Sequence, residues 1–253
     1  MLLVIDVGNT NTVLGVYRND ELLHCWRLTT ARERTADEWG VLIRTLFSLG
    51  ELADGTVSAV VISSVVPPSR PALEEMALRH LGLQPLFIEP TMDLGMPVLY
   101  KPPSDVGADR VVNAIAAYTQ FGGPVIVVDF GTATTFDAIS PQGEYMGGVI
   151  TPGIGISAEA LFHRAARLPR VEIRQPSKVI GDSTVSSMQS GLYWGYAALV
   201  DGILVRMKEE LENAYVVSTG GLAELIFPAC EEIDSVEKNL TLEGMRLIYN
   251  RLR

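Results

Sequence analysis

Apolar positions in the first part of the chain follow two rhythms. Leu2, Leu3, Val4 and Ile5 form a short unbroken run, cut by Asp6 and a Gly8-Asn9-Thr10 turn, and apolar residues resume at Val13. This is the pattern of a buried strand, a tight hairpin and a strand returning beside it. Residues 21–30 read as a third antiparallel strand. Behind Thr35-Ala36-Asp37-Glu38, which has the spacing of a capping box, Trp39, Leu42, Ile43 and Leu46 recur at helical intervals. Residues 57–66 are a β-branched run suited to a strand covered on both faces, and Pro67-Pro68 ends it. A helix over 69–81 and a short strand at 86–88 complete the order β-β-β-α-β-α-β.

Residues 90–104 are loop-like, with Pro90, Pro97, Pro102 and Pro103, and Gly107-Ala108-Asp109-Arg110 then leads into a helix stopped by Gly122-Gly123. The plan repeats after it. Strands are expected at 125–130, 133–139 and 144–150, and a helix opens within 151–157. A polar segment around 170–183 precedes a long apolar helix over 184–211. A strand at 215–219 is turned by Gly220-Gly221, and a weak strand near 233–236 and a helix after Thr241 close the chain. The Thr219-Gly220-Gly221 turn either bares backbone for an adenine or ribose or is a plain strand-to-helix turn. The expected fold is α/β, in two similar halves at 1–115 and 116–253.

The hairpin motif also occurs twice. Residues 125–139 read VIVVDFGTATTFDAI, and aligning Asp6 with Asp129, 123 residues on, brings Gly8 onto Gly131 and Thr12 onto Thr135. Glycine lets the backbone approach a ligand, and Asn9 tolerates turn conformations. Successive N–H groups with the Thr10 and Thr12 hydroxyls make a donor-rich cradle for phosphate oxygens. Asp6 beside it suits a hydrated Mg²⁺. One copy alone reads equally well as an ordinary hairpin capped by an Asp. Recurrence at mid-chain, with acid, glycine and hydroxyls in register, favours nucleotide binding, the two loops facing each other across a cleft.

Composition narrows the picture. At 253 residues, 47% hydrophobic and mean hydropathy +0.22, the chain is a globular protein with a well-filled core. A net charge of −10 argues against a nucleic-acid surface while leaving small anions open as ligands. No signal segment or membrane-spanning apolar stretch is visible. Cys25 and Cys230 are isolated, which suits a reducing cytoplasm, and His24, His80 and His163 show no ligand spacing.

Taken together, these residues resemble the superfamily of acetate and sugar kinases, heat-shock chaperone ATPases and actin, built from two ribonuclease H-like halves with the nucleotide between them. Within it the chain is similar to the type III pantothenate kinases over essentially its whole length. The matching blocks are Asp6–Asn11, Gly107–Arg110, Asp129 with Gly131–Thr135, and Thr219–Gly221. The resemblance implies an actin-like ATPase fold and ATP-dependent phosphorylation of the terminal hydroxyl of pantothenate, the first step toward coenzyme A. By motif position it implies that Asp6, Val7, Gly8, Asn9, Thr10, Asn11, Thr12 and Val13 bind ATP phosphates, with Asp6 facing Mg²⁺ through water, and that Thr132 holds a phosphate. It implies that Asp109 accepts the hydroxyl proton, that Gly107, Ala108, Asp109 and Arg110 line the pantothenate site with Tyr100 before them, and that Thr184 also contacts the substrate. A homodimer is implied too, and a monovalent cation, K⁺ or NH₄⁺, at Asp129.

The residue types suit that chemistry. Phosphoryl transfer is mostly positioning and charge stabilisation, so an Asp of ordinary pKa, near ~3.9, serves as proton acceptor. Arg110 has the planar fork for a carboxylate. The plainer alternatives are an ion pair for Asp109–Arg110, a core aromatic for Tyr100 and an N-cap for Thr184. Asp129 equally suits Mg²⁺ or a hairpin cap. Trp194 and its tyrosine neighbours read as core or dimer surface. Two other functions stay open: a superfamily kinase for another hydroxyl or carboxylate substrate, and a non-catalytic nucleotide-binding regulatory protein.

Overall fold

A computed structural model describes residues 1–253 apart from Asp54 and Pro90, so the expected loop position of Pro90 lies outside the described residues. The first run of elements is β1 (Leu2–Val7), β2 (Asn11–Arg18), β3 (Glu21–Thr29), α1 (Ala36–Leu49), β4 (Ala59–Ser64), α2 (Arg70–Met76), β5 (Leu86–Phe87) and α3 (Ala108–Phe121). The second is β6 (Val125–Phe130), β7 (Ala133–Ile139), β8 (Tyr145–Pro152), α4 (Ile154–Arg164), α5 (Thr184–Glu210), β9 (Tyr215–Thr219), α6 (Ala223–Ile226), β10 (Ser235–Val236) and α7 (Leu240–Arg251). The sheets run β3-β2-β1-β4-β5 and β8-β7-β6-β9-β10, the same order twice. In each, the hairpin strands are antiparallel and the strands reached through helices are parallel.

Local sequence accounts for most boundaries. The capping box forms at α1: Thr35 accepts from Glu38 N–H at 3.3 Å, and Glu38 accepts from Thr35 N–H at 2.8 Å. The helix expected over 69–81 is three pieces. A 3₁₀ turn at Pro67–Ser69 enters α2, and a π turn at Ala77–Leu81 leaves it, ending at Gly82 in the left-handed region (φ +68°).

Contacts divide the chain into two compact units. One holds Met1–Gly95, Lys101–Ala116 and Thr241–Arg253; the other holds Met96–Tyr100 and Ala117–Leu240. Two pieces therefore lie on the other side of the boundary expected at 115–116. Residues 97–99 pair with Tyr145 through Tyr145 N–H to the Pro97 carbonyl and Leu99 N–H to the Tyr145 carbonyl, both 2.8 Å. α7 packs on α3.

Strand alternation sorts the first sheet into two faces. Leu3, Ile5 and Val7 join Leu14, Val16, Val60 and Ile62 under Trp39 and Ile43 of α1 and Leu73 and Met76 of α2. Leu2, Val4 and Asp6 point the other way, where Leu242 of α7 lies against Gly15 beside Val4. In the second unit Ile126, Val128 and Phe130 pack with Leu192, Tyr193, Tyr196 and Val200 of α5, so the tyrosines next to Trp194 are core. Among the described residues no helix is long and apolar enough to cross a membrane.

Candidate active site

The first turn is braced by side chains. Gly8 N–H donates to the Asn11 carbonyl at 3.0 Å, and a Cβ on Gly8 would stand 3.0 Å from that same oxygen. The Thr30 hydroxyl donates to the Gly8 carbonyl at 2.7 Å and lies 2.9 Å from the Thr12 hydroxyl, while Thr30 N–H reaches the Thr10 carbonyl at 2.9 Å. Thr30 is a residue the motif comparison missed, because it follows β3, outside the hairpin. The consequence for the cradle is specific. Thr12 is buried and engaged with Thr30, and Val7 is buried in the core, so neither side chain faces solvent. Asn9 and Thr10 are exposed at the tip, and Asp6, Gly8, Asn11 and Val13 are half-buried.

Asp6 pairs in register with Ser63 of β4, which places both residues on the sheet face away from α1 and α2. The Ser63 hydroxyl is fully buried and has no hydrogen-bond partner among the described residues. The half-buried Asp6 carboxylate at the end of β1 is the group here whose chemistry suits a hydrated cation. Sequence reading missed Ser63, because nothing in a β-branched strand marks one serine as special.

The second turn is held by bare backbone instead. Gly131 N–H donates to the Ala133 carbonyl and Gly153 N–H to the Thr132 carbonyl, both at 3.1 Å. A Cβ on Gly153 would overlap the Thr132 carbonyl oxygen, and one on Gly220 (φ +95°) would overlap the Asp129 carboxylate. Thr132 is exposed and Asp129 half-buried. The alignment of the two motifs needs one correction. Val7 pairs with Thr12 and Phe130 with Thr134, so residues 8–11 turn the first hairpin and only 131–133 the second. Thr12 therefore corresponds to Thr134, not Thr135. The register irregularities at Val16/Tyr17 and Ala138/Ile139 keep the same offset of 122 residues. A constant spacing of 123 overlooked the residue missing from the shorter turn.

Asp109 sits in the first turn of α3, half-buried, and its Oδ1 accepts from Arg110 N–H at 2.9 Å. Gly107 leaves room for this, since a Cβ there would overlap that Oδ1. Burial pushes the carboxyl above its ordinary pKa, opposed by the Arg110 backbone N–H and guanidinium. The ordinary value expected from sequence is thus corrected upward: desolvation outweighs the helix start. Arg110 is itself buried. Asp6 and Asp109 belong to the same compact unit, as do Gly107, Ala108 and Arg110.

Tyr100, Asp129, Thr132 and Thr184 belong to the other unit. The 97–99 pairing places the Tyr100 ring 6.5 Å from that of buried Tyr145 and over Gly147. The Tyr145 hydroxyl donates to Asp137 Oδ1 at 2.6 Å, a fully buried acid whose role the sequence did not flag. Ser183, not Thr184, caps α5, accepting from Ser186 N–H at 3.2 Å. Thr184 is the first helical residue, exposed on the rim of a depression of about 530 Å³ lined by Leu161, Leu168, Met188 and Leu192.

Twin sheets of identical order, each opened by an Asp-x-Gly hairpin, define an actin-like ATPase or sugar-kinase fold. Solved structures agree on that fold. The activator of 2-hydroxyisocaproyl-CoA dehydratase from Clostridium difficile, solved with ADPNP, gives a TM-score of 0.57 at 11% identity, over 98% of this chain and 93% of that one. The inorganic polyphosphate/ATP-glucomannokinase from Arthrobacter sp. strain KM gives 0.52 at 16% identity, over 99% and 98%. At such identities the likeness speaks for the fold alone. Sequence comparison is narrower: the type III pantothenate kinase profile matches residues 2–206. The type III pantothenate kinase of Koribacter versatilis is 55% identical over 262 residues, covering 99% of this chain and 96% of its own. The chain belongs to the type III pantothenate kinase family, and it is a kinase.

Proposed function

We infer that this enzyme transfers the γ-phosphoryl group of ATP to the terminal hydroxyl of pantothenate, giving 4′-phosphopantothenate for coenzyme A biosynthesis. The observation that carries the residue assignment is Asp109. It is a carboxyl raised in pKa by burial, at a helix start, in the unit that also holds the Asp6 hairpin.

Asp109 accepts a hydrogen bond from the substrate hydroxyl and aims its oxygen at the γ-phosphorus. As the new O–P bond forms and the bond to the β,γ-bridging oxygen breaks, ADP leaves and the hydroxyl proton passes to Asp109. A carboxylate of raised pKa holds that proton better than an ordinary one, provided the pH keeps it ionised at the start. The backbone N–H groups of the first turn, with Asn9 and Thr10 exposed at its tip, supply donors for phosphate oxygens, and Thr132 supplies another from the second hairpin. The Thr12 hydroxyl acts indirectly, by holding the turn through Thr30. Arg110 offers its fork to the pantothenate carboxylate, and Tyr100 and Thr184 complete the substrate contacts. Asp6 would hold Mg²⁺ through water and Asp129 would hold K⁺ or NH₄⁺, and these cations would supply positive charge against the phosphate oxygens.

A homodimer is part of this reading. It is supported by apolar residues left exposed on the second unit, Val179, Ile180 and Val185, next to the Thr184 depression. Two isolated cysteines suit a cytoplasmic enzyme.

The test is ADP release over a panel of hydroxylated and carboxylated metabolites, with and without K⁺. Pantothenate should stand out by orders of magnitude. Asp109→Asn should cut kcat by about 10²–10⁴ with ATP affinity little changed. Undiminished turnover in that variant removes Asp109 from its role, and a different best substrate removes pantothenate.

A further inference from the structure

By element order α7 is the counterpart of α3, each being the helix that follows the last strand of its half. At its second position α3 carries Asp109, and α7 carries Thr241. α7 returns to the first unit and touches two of its parts at once.

Against α3, the Thr241 hydroxyl donates to Oδ1 of buried Asn113 at 2.7 Å, one turn on from Asp109. Gly244 lies so close that a Cβ would overlap the Val112 carbonyl oxygen. Against the hairpin, Leu242 stands where a Cβ on Gly15 of β2 would meet its Cδ1 at 3.0 Å. The buried Arg246 guanidinium is forked onto Glu243, pairs with Asp20 in the β2–β3 turn and lies 5.8 Å from the Tyr17 ring centroid. The first attachment is a close helix–helix approach at Gly244, and the second is a charge-assisted pair from the buried Arg246 guanidinium to the exposed Asp20 carboxylate.

We propose that α7 is a positioning element for catalysis: Thr241 and Gly244 fix the Asp109 helix relative to the strand that leaves the phosphate turn. The proposal rests on the assignment of Asp109 as proton acceptor. It adds residues beyond 206, where the family profile stops matching. A reacting group misplaced by about 1 Å costs on the order of 10² in rate, so a small shift of α3 is felt in kcat before it is felt in ATP binding.

The experiment measures kcat, KM for both substrates, ATP affinity and the thermal midpoint for Thr241→Val, Thr241→Ser and Gly244→Ala beside Asp109→Asn. Thr241→Val should lower kcat about tenfold and Gly244→Ala about 10²-fold, each with ATP affinity within about twofold of the parent. Thr241→Ser, which keeps the hydroxyl, should restore kcat. If Gly244→Ala does not fold, the Val and Ser pair decides. A parental kcat in Thr241→Val with a lowered midpoint makes α7 a structural support and overturns the proposal. So does a loss of kcat that Ser does not restore, or one matched by an equal loss of ATP affinity. Full activity in Asp109→Asn instead removes the acceptor assignment, and an inactive Asp109→Asn with a normal Thr241→Val removes only the role of α7.

Discussion

The two Asp-x-Gly hairpins share an acid, a glycine and a strand register, yet they are held by different means. The first is tied by hydroxyls: Thr30 bonds the Gly8 carbonyl and contacts the Thr12 hydroxyl. The second is tied by the absence of side chains, with Gly153 and Gly220 backed onto Thr132 and Asp129. Their counterpart threonines differ accordingly. Thr12 has a partner, whereas the equally buried Thr134 hydroxyl has none among the described residues. The longer turn takes a brace from Thr30, whereas the shorter one has glycine backbone close against Thr132 and Asp129.

Breaking the second turn should have the largest effect. Gly153→Ala forces a methyl onto a carbonyl oxygen, which costs about 2–3 kcal/mol and displaces Thr132, lowering kcat/KM for ATP by about 10². Gly155→Ala, two residues away in open space, should leave both unchanged. Equal behaviour of the two variants in melting and kinetics would show that the tight approach does not matter.

In the first turn, Thr30→Val removes the brace and should cost about 1–3 kcal/mol, with KM for ATP rising more than kcat falls. Thr30→Ser should recover most of it. A KM unaffected by the valine would mean that the turn holds its shape without the hydroxyl.

The comparison extends to the helices that follow the halves, of which only α3 carries a titrating group at its second position. Because the folded pKa of Asp109 is raised, the native state holds that proton more tightly than the unfolded chain. Asp109 therefore subtracts stability as pH rises from the ordinary Asp range through its raised value. Activity should fall on the acid side by about tenfold per pH unit, beginning above the ordinary Asp range. Asp109→Asn should lose that limb and melt no lower than the parent at neutral pH. An acid limb confined to the ordinary Asp range would contradict the burial argument.

The smallest difference is also the cleanest. Thr12→Val should destabilise by about 1 kcal/mol, while Thr134→Val, which removes an orphan, should be neutral or stabilising. If Thr134→Val instead weakens ATP or K⁺ dependence, that hydroxyl serves a ligand.

Much of this molecule was legible as a sequence. Apolar runs, the Thr35 capping box and the prolines located the strands and helices, and the repeated Asp-x-Gly exposed the duplication, because these signals act within a few residues. The slip from Thr135 to Thr134 was not legible, since identical letters follow one another there and only strand pairing says which of them opposes Phe130. Thr30 and Ser63 were equally silent, each set by a neighbour far along the chain, and Asp137 is set by Tyr145 on the next strand.

The order of elements, the two acidic hairpins and the Asp109-bearing helix start were determined by the sequence alone, through local propensity and motif chemistry. Only the tertiary structure decided that α7 returns to the first unit, that residues 97–99 join the second, and that Asp109 is desolvated enough to raise its pKa. Those outcomes depend on which distant side chains exclude water and which backbones can touch, and no short stretch of residues contains that information.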